Sequence, residues 1–394
     1  MEKKSMTATN KKVSTYIPDE ISFSILSKLP VKSLKRFECV QKSWSFLFEN
    51  HHFINMFLNR FLSYNDPSSL ILRDVKNGRD IFYSFSGERF ENKVKLDWHT
   101  LHETCYIDGF GSINGTFCFH GGNMQSKIIL WKPATRTIEL LPPSESESIQ
   151  LFIPDEAKMY VDVMHYVHGF GYDHVINDYK VIRFVVLCGE EKEIISLDRL
   201  EGHDFDPLWE IYSLRSNSWR KLHIDMPYSL QYNHGTQVYM DGVCHWLSEE
   251  DCEEDCEDVE NYDYKCLVSF YLSNEKFFVT PIPSYVDDCF DTKASWINLA
   301  VLNEYITLIS YHKKTTTFHI SILSEFGTKE SWTKLLTVGP LSCVRHPMKM
   351  GPKGEIFLER KDKELVWLDL STQMIVELGF KADSYSQQMI TYKE

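Results

Sequence analysis

Nowhere does this chain string together the roughly 20 consecutive apolar residues that a helix needs to cross a bilayer. Residues 181–188, interrupted by Arg183, are among its best candidates, so no membrane association is expected. Residues 1–15 are polar and lysine-bearing, with no apolar run to serve as a secretory leader. A disulfide framework is missing too. The ten cysteines are scattered through apolar surroundings such as Phe117-Cys118-Phe119 and Leu187-Cys188, as small hydrophobes are in a reducing compartment. The expectation is an intracellular protein, cytoplasmic or nuclear, in which the Asn114-Gly115-Thr116 sequon goes unused.

Signatures of catalysis are equally scarce. There is no Gly-x-Ser-x-Gly elbow, no His-Glu-x-x-His pair and no phosphate loop; Gly109-Phe110-Gly111-Ser112-Ile113-Asn114 lacks the third glycine and a following helix pattern. Cys252 and Cys256, with His245 or Cys266, make one potential zinc pair where such sites usually present two. His51-His52 reads as a surface or packing pair at the start of an amphipathic helix. Trp131, Trp219, Trp246, Trp332 and Trp367 fall in or beside strand-like sequence, where core packing explains them. No catalytic residue, cofactor or metal is expected.

Charge is plentiful but unevenly placed. The net of −14 hides a basic start: residues 1–60 carry ten Lys or Arg against five Asp or Glu, so the rest holds all of the negative excess. A basic start favours an acidic docking partner. The acidic remainder argues against a nucleic-acid binder, which needs a basic stripe to neutralise phosphates. The run Glu249-Glu250-Asp251-Cys252-Glu253-Glu254-Asp255-Cys256-Glu257-Asp258 reads as a solvated loop, with attraction of a basic substrate segment as the functional alternative. At 394 residues the chain exceeds one usual core, so two domains or one large closed architecture are expected.

What is abundant near the start is apolar surface on short helices. In residues 16–61, 22 side chains are apolar or aromatic, and a helical piece of roughly 45 residues seldom buries enough surface to stand alone. Pro18 suits a first helical position, with Asp19 and Glu20 against the helix dipole. Ile21, Ile25 and Leu29 recur on one face, and Pro30 should end that helix. Val31, Leu34, Phe37 and Val40, then Trp44, Leu47 and Phe48, continue at helical spacing, giving three short helices. This stretch resembles the F-box. Ile17 stands where that family usually has Leu, and Gln41 where Cys or Ser is common. The resemblance implies docking on a Skp-type adaptor, and through it a cullin, by Ile17, Pro18, Ile21, Ile25, Leu26, Leu29, Pro30, Leu34, Val40, Lys42, Trp44 and Leu47, which supply the apolar face or hold its helices.

Beyond residues 63–69 the helical period gives way to short β-rich runs between polar turns. One unit recurs: a strand, a turn of Ser, Thr, Asn, Gly or Pro, and an aromatic or branched residue that opens the returning strand. Its anchor pairs are Tyr83 and Phe90, Trp131 and Ile138, Tyr212 and Trp219, Phe270 and Phe277, and Leu368 and Ile375, each seven apart. A sixth, Ile322 and Trp332, has a longer turn. Most steps between copies are near the roughly 40 to 50 residues of a four-stranded propeller blade. The long step, from 131 to 212, holds what looks like an insertion at 144–160. Glycines at 109–115, 169–171 and 354 are expected in tight turns before strands. The fold class is therefore mainly β: a small N-terminal helical domain followed by a closed β-propeller-like domain, with a β-sandwich pair as the alternative.

This part of the chain also resembles the plant F-box-associated domain. The matching pieces are Leu130-Trp131-Lys132-Pro133-Ala134-Thr135-Arg136, Gly169-Phe170-Gly171-Tyr172-Asp173 with Asp178-Tyr179-Lys180-Val181, and Ile211-Tyr212-Ser213-Leu214 with Ser218-Trp219. Lys132 and Tyr271 replace a usual Asn and Asp, so those two turns should be held differently. The resemblance implies a tail at 1–15, an F-box at 16–62 and a recognition domain at 63–394. It also implies a non-catalytic substrate receptor of a ubiquitin ligase, similar to S-locus F-box proteins. An F-box-bearing sensor of a small molecule or carbohydrate, or a propeller enzyme, is the rival reading.

Overall fold

The computed structural model describes residues 17–29, 31–38, 40, 44, 50, 53, 56–57, 69–76, 79–96, 105–107, 111–121, 127–151, 153, 161–188, 206–230, 235–249, 266–282, 294–328, 331–351, 353–381 and 387–393. The chain divides into two compact units, Met1–Phe61 and Leu62–Glu394.

The first unit holds α1 (Asp19–Leu26) and α2 (Val31–Glu38), with further helical residues at Phe53, Met56 and Phe57. Pro18 lies one place outside the position expected of it: its backbone is extended, and its carbonyl accepts the amides of Ile21 and Ser22 at 3.1 and 3.0 Å. The helix also stops earlier than Pro30 would require. After Leu26 the amides of Lys28 and Leu29 bond three residues back, and the Ser27 hydroxyl bonds the Ser24 carbonyl, a local competition that tightens and closes the last turn. Pro30 itself is outside the described residues. The interior is Phe23, Leu26, Leu34, Phe53 and Phe57, with Phe23 and Phe53 edge to face at 5.6 Å.

The second unit is a six-bladed propeller whose described strands form six four-stranded antiparallel sheets. Blade one pairs β1 (Ser69–Lys76), β2 (Arg79–Ser86) and β3 (Asn92–Leu96) with the last strand, β24 (Gln388–Tyr392). Blade two is β4 (Cys105–Ile107), β5 (Phe117–Gly121), β6 (Ile128–Lys132) and β7 (Thr137–Leu140); blade three is β8 (Asp162–Asp173), β9 (Asp178–Cys188), β10 (Leu208–Ser213) and β11 (Ser218–Leu222). Blade four is β12 (Gln237–Met240), β13 (Val243–Ser248), β14 (Cys266–Tyr271) and β15 (Phe277–Pro281). Blade five is β16 (Ala294–Leu302), β17 (Tyr305–His312), β18 (Thr317–Leu323) and β19 (Trp332–Val338), and blade six is β20 (Val344–Met350), β21 (Glu355–Arg360), β22 (Glu364–Asp369) and β23 (Ile375–Lys381). Each sheet runs in chain order except at the closure, where β24 supplies blade one with its innermost strand. Ser112 and Gly115 fasten that strand to blade two, donating their amides to the carbonyls of Thr391 and Lys393. A ring of this kind leaves only short, protected sheet edges.

The recurring unit is the hairpin between the third and fourth strands of each blade. Trp131 and Ile138, Tyr212 and Trp219, Phe270 and Phe277, and Leu368 and Ile375 are direct cross-strand partners. The other two pairs miss. Trp332 faces Leu323, one residue beyond Ile322, and Phe90 stays in the turn with φ 57° while the returning strand starts at Asn92. Each of the four matching turns bends through a left-handed residue two places before its second anchor: Arg136, Asn217, Glu275 and Gln373. Where a polar residue follows the first anchor it ties the turn: the Ser213 hydroxyl accepts the Ser216 amide, and Asp369 accepts those of Ser371 and Thr372. With Tyr271 in that place, Asn274 takes the task by accepting the Lys276 amide, and beside Lys132 the hydroxyls of Thr135 and Thr137 pair at 2.8 Å.

The glycines at 169 and 171 need a correction. Both lie inside β8, not in a turn. A Cβ on Gly169 would meet Cys244 at 3.1 Å, and one on Gly171 would meet Leu272 at 2.5 Å and Tyr239 at 2.8 Å. These positions are glycine because blade four presses against the backbone of blade three. The core lies between blades, in wedges such as Phe184, Trp209, Trp246, Val268 and Phe270 between blades three and four.

Candidate functional site

Two surfaces stand out, one on each unit. On the first, α1 is amphipathic in an unusual sense, because both of its faces are apolar. Phe23 and Leu26 point inward, while Ile21 and Ile25, with Ile17 one turn earlier, make a second stripe whose members are 52, 54 and 57% exposed. Val40 is 69% exposed. Fully burying one such side chain stabilises by about 1.5–3 kcal/mol, and this unit leaves roughly half or more of that gain unused at four positions. Of the other docking residues expected from sequence, Pro18 is exposed, Leu29 and Trp44 are half-buried, and Leu26 and Leu34 lie inside and hold the helices together. Pro30, Lys42 and Leu47 fall outside the described residues. Sequence reasoning did not single out Phe23, Phe53 and Phe57 as the inward set; the spacing of Phe23 and Leu26 was the available signal.

On the propeller the two ends differ. Strand alternation puts the first-to-second and third-to-fourth connections of every blade at one end and all other connections at the opposite end. The first end has tight turns such as 174–177, 214–217, 241–242 and 303–304. The strand ends that meet at the second end are joined by the longest stretches of sequence, 141–161, 189–207, 249–265 and 282–293, much of which lies outside the described residues, and the joining sequences carry 29 Asp or Glu against 10 Lys or Arg. Most of the acidic run falls outside the described residues. Its first member, Glu249, accepts the Ser229 hydroxyl at 2.7 Å, and burial holds its carboxyl above the usual range.

The connection between blades two and three is anchored by buried charge. Arg183, fully buried on β9, donates to Glu210 at 3.0 Å, to the Ser144 hydroxyl at 2.5 Å and to Glu147 at 3.3 Å. Its guanidinium lies 4.0 Å from the ring centre of Trp219, whose indole N–H donates to the Pro142 carbonyl. In the sequence Arg183 was only an interruption of an apolar run. Two buried histidines stay neutral: burial, then the nearby Arg183, lowers His165 to about 3, and burial alone lowers His245 to about 3. Lys180 bonds Asp173 at 2.9 Å and the Leu272 carbonyl of blade four at 2.7 Å, and Asp178 caps the β10–β11 turn through Ser213 and the Arg215 amide. These charged groups are engaged in structure. Among the described residues no group of three or more His, Cys, Asp or Glu is placed to hold a metal.

A profile of the F-box associated beta propeller domain matches residues 91–391. The chain belongs to that family. Its F-box protein relatives extend the match toward the helices: it is 27% identical to the F-box protein CPR1 of Arabidopsis thaliana, over 95% of this chain and 87% of that one. It is 25% identical to the F-box protein At4g22390 of the same plant, over 80% of this chain and 77% of the other. With the F-box/kelch-repeat protein At3g23880 it shares 22% over 87% and 85%. In the Gly169 to Asp173 and Asp178 to Val181 pieces that carry the family resemblance, the glycine backbone and Lys180, held by Asp173, fit blade three to blade four, while Asp178 caps a turn within blade three.

Proposed function

We propose that this F-box protein is the substrate-recognition subunit of a Skp-cullin-F-box ubiquitin ligase. The observation that carries the reading is the stripe of Ile17, Ile21 and Ile25, exposed on a helix whose other face already fills its own unit's core. A face of this kind is stabilised by an apolar groove on another protein, read at i, i+4 spacing. The Skp-type adaptor is the occupant that the family implies, and the basic charge of residues 1–60 complements an acidic one. The propeller then holds a target protein at its long-connection end, because connections long in sequence on a rigid ring suit recognition while tight turns serve the ring. The acidic excess of that end favours a target segment rich in Lys or Arg.

In this reading no side chain of the chain enters the transfer of ubiquitin. The rate gain comes from holding the target's lysines at high effective concentration near the loaded enzyme, in the cytoplasm or nucleus. The test is the full chain with Ile21→Asp and Ile25→Asp. Adaptor affinity measured by calorimetry should fall by several kcal/mol, on the scale of unpaired charge buried in an interface. Unchanged affinity in a folded variant would sink the proposal.

A further inference from the structure

At the seam where the ring closes, blade one turns one face of its sheet toward blade six. Strand register fixes what that face carries: Leu72 lies opposite Tyr83, Asp74 opposite Ile81, and Phe85 opposite Lys93. Phe380 of β23 completes the group from blade six, edge to face with Tyr83 at 5.2 Å and with Phe85 at 6.2 Å. Into these rings runs an ammonium group. Lys93 Nζ lies 4.0 Å from the centre of Phe380, 4.6 Å from Tyr83 and 5.9 Å from Phe85. Its charged neighbours are Asp74 and Lys76. The Asp74 side chain has no exposed surface; one oxygen accepts Gln387, and the other has no hydrogen bond, only the Lys76 ammonium at 3.6 Å.

Three rings around the Lys93 ammonium, with the Lys76 ammonium farther out at 5.9 Å from Phe380 and beside the buried Asp74 carboxylate, form the arrangement that selects a bulky, weakly hydrated ammonium. A primary ammonium is a second-best guest, since it gives up more hydration to enter. Lys93 sits on the outermost strand, and its residue is exposed, so its flexible stem can swing aside without disturbing the sheet. We propose that this seam is a binding site for an alkylammonium group, such as a trimethylated lysine or a free quaternary amine, with Lys93 as the chain's own resting occupant. The site is separate from both surfaces assigned above.

The experiment uses the full chain, wild type and Lys93→Ala, titrated with tetramethylammonium chloride, and with neopentyl alcohol as a neutral molecule of the same shape. Melting temperature should rise saturably with the cation and not with the alcohol. Lys93→Ala should bind about tenfold more tightly than wild type, because the nearer of the two resident ammonium groups is gone while Lys76, 5.9 Å from Phe380, stays. Adding Asp74→Asn to Lys93→Ala should weaken that binding about tenfold. A trimethyllysine peptide that outcompetes choline on the wild type assigns the site to a modified protein tail, and parity assigns it to the free amine. Equal responses to cation and alcohol, or no saturable response in either protein, overturns the proposal.

Discussion

In the propeller, large apolar side chains vanish into the seams: Phe82, Phe85, Phe117, Phe270 and Phe318 have no exposed surface. In the helical unit the stripe of Ile17, Ile21 and Ile25 is more than half exposed. Both regions obey the same preference for burial, and they differ in what they can offer it. Six blades in a ring cover each other on both faces, whereas an eight-residue helix in a small unit can cover one. The region that completes its own packing is free to act as a rigid platform. The one that cannot is the natural hook.

That contrast can be broken most directly at the closure. Deleting residues 388–394 removes β24, the partner of β1 and of Ser112 and Gly115. The cooperative thermal transition of the propeller, followed by circular dichroism, should disappear; a truncated chain that melts like the wild type would show that the ring is not what covers the core. Arg183→Ala comes next. It strands Glu210 in the interior and should destabilise the propeller by about 3–5 kcal/mol in denaturant unfolding.

Acid probes the same interior more gently. For His165 and His245 the unfolded value is near 6.5 and the folded one about 3. Above pH 6.5 both states are neutral and nothing changes. Below it the unfolded chain takes up protons that the folded one refuses, so each histidine should remove about 2 kcal/mol of stability by pH 5. His165→Gln with His245→Gln should flatten that part of the stability profile. The paired Ile21→Asp and Ile25→Asp change should do the opposite of these propeller variants, altering stability by less than about 0.5 kcal/mol while docking collapses. The smallest effect is expected at Gln373, whose φ of 55° suits glycine better. Gln373→Gly should add about 0.5 kcal/mol, seen as a raised denaturant midpoint.

Local chemistry was legible in the sequence where both partners of an interaction are close along the chain. Four hairpins announced themselves through anchors seven apart. The Tyr83 and Phe90 pair failed because Phe90 is held in the turn and packs on Phe357 and Trp367 of blade six, contacts no local pattern reveals. Gly169 and Gly171 were misread for the same reason: what requires glycine there is Cys244, Leu272 and Tyr239 from the next blade. On α1 the period picked out Ile21, Ile25 and Leu29 and left unread the second stripe, Phe23 and Leu26, which is the one that faces in. Arg183 meets Ser144 and Glu147 from a connection between blades, and Lys93 meets Phe380 only because the ring closes.

The closure by β24 also orders events during synthesis. A ribosome has made the α1 hook before it begins the first blade, but the ring stays a gap-toothed arc until residue 392 has left the exit tunnel. A message cut short by a premature stop in the last blade would yield a chain that keeps the α1 stripe and lacks a closed ring. Under the function proposed above, such a fragment would occupy the adaptor without a platform for the target and so compete with intact receptors.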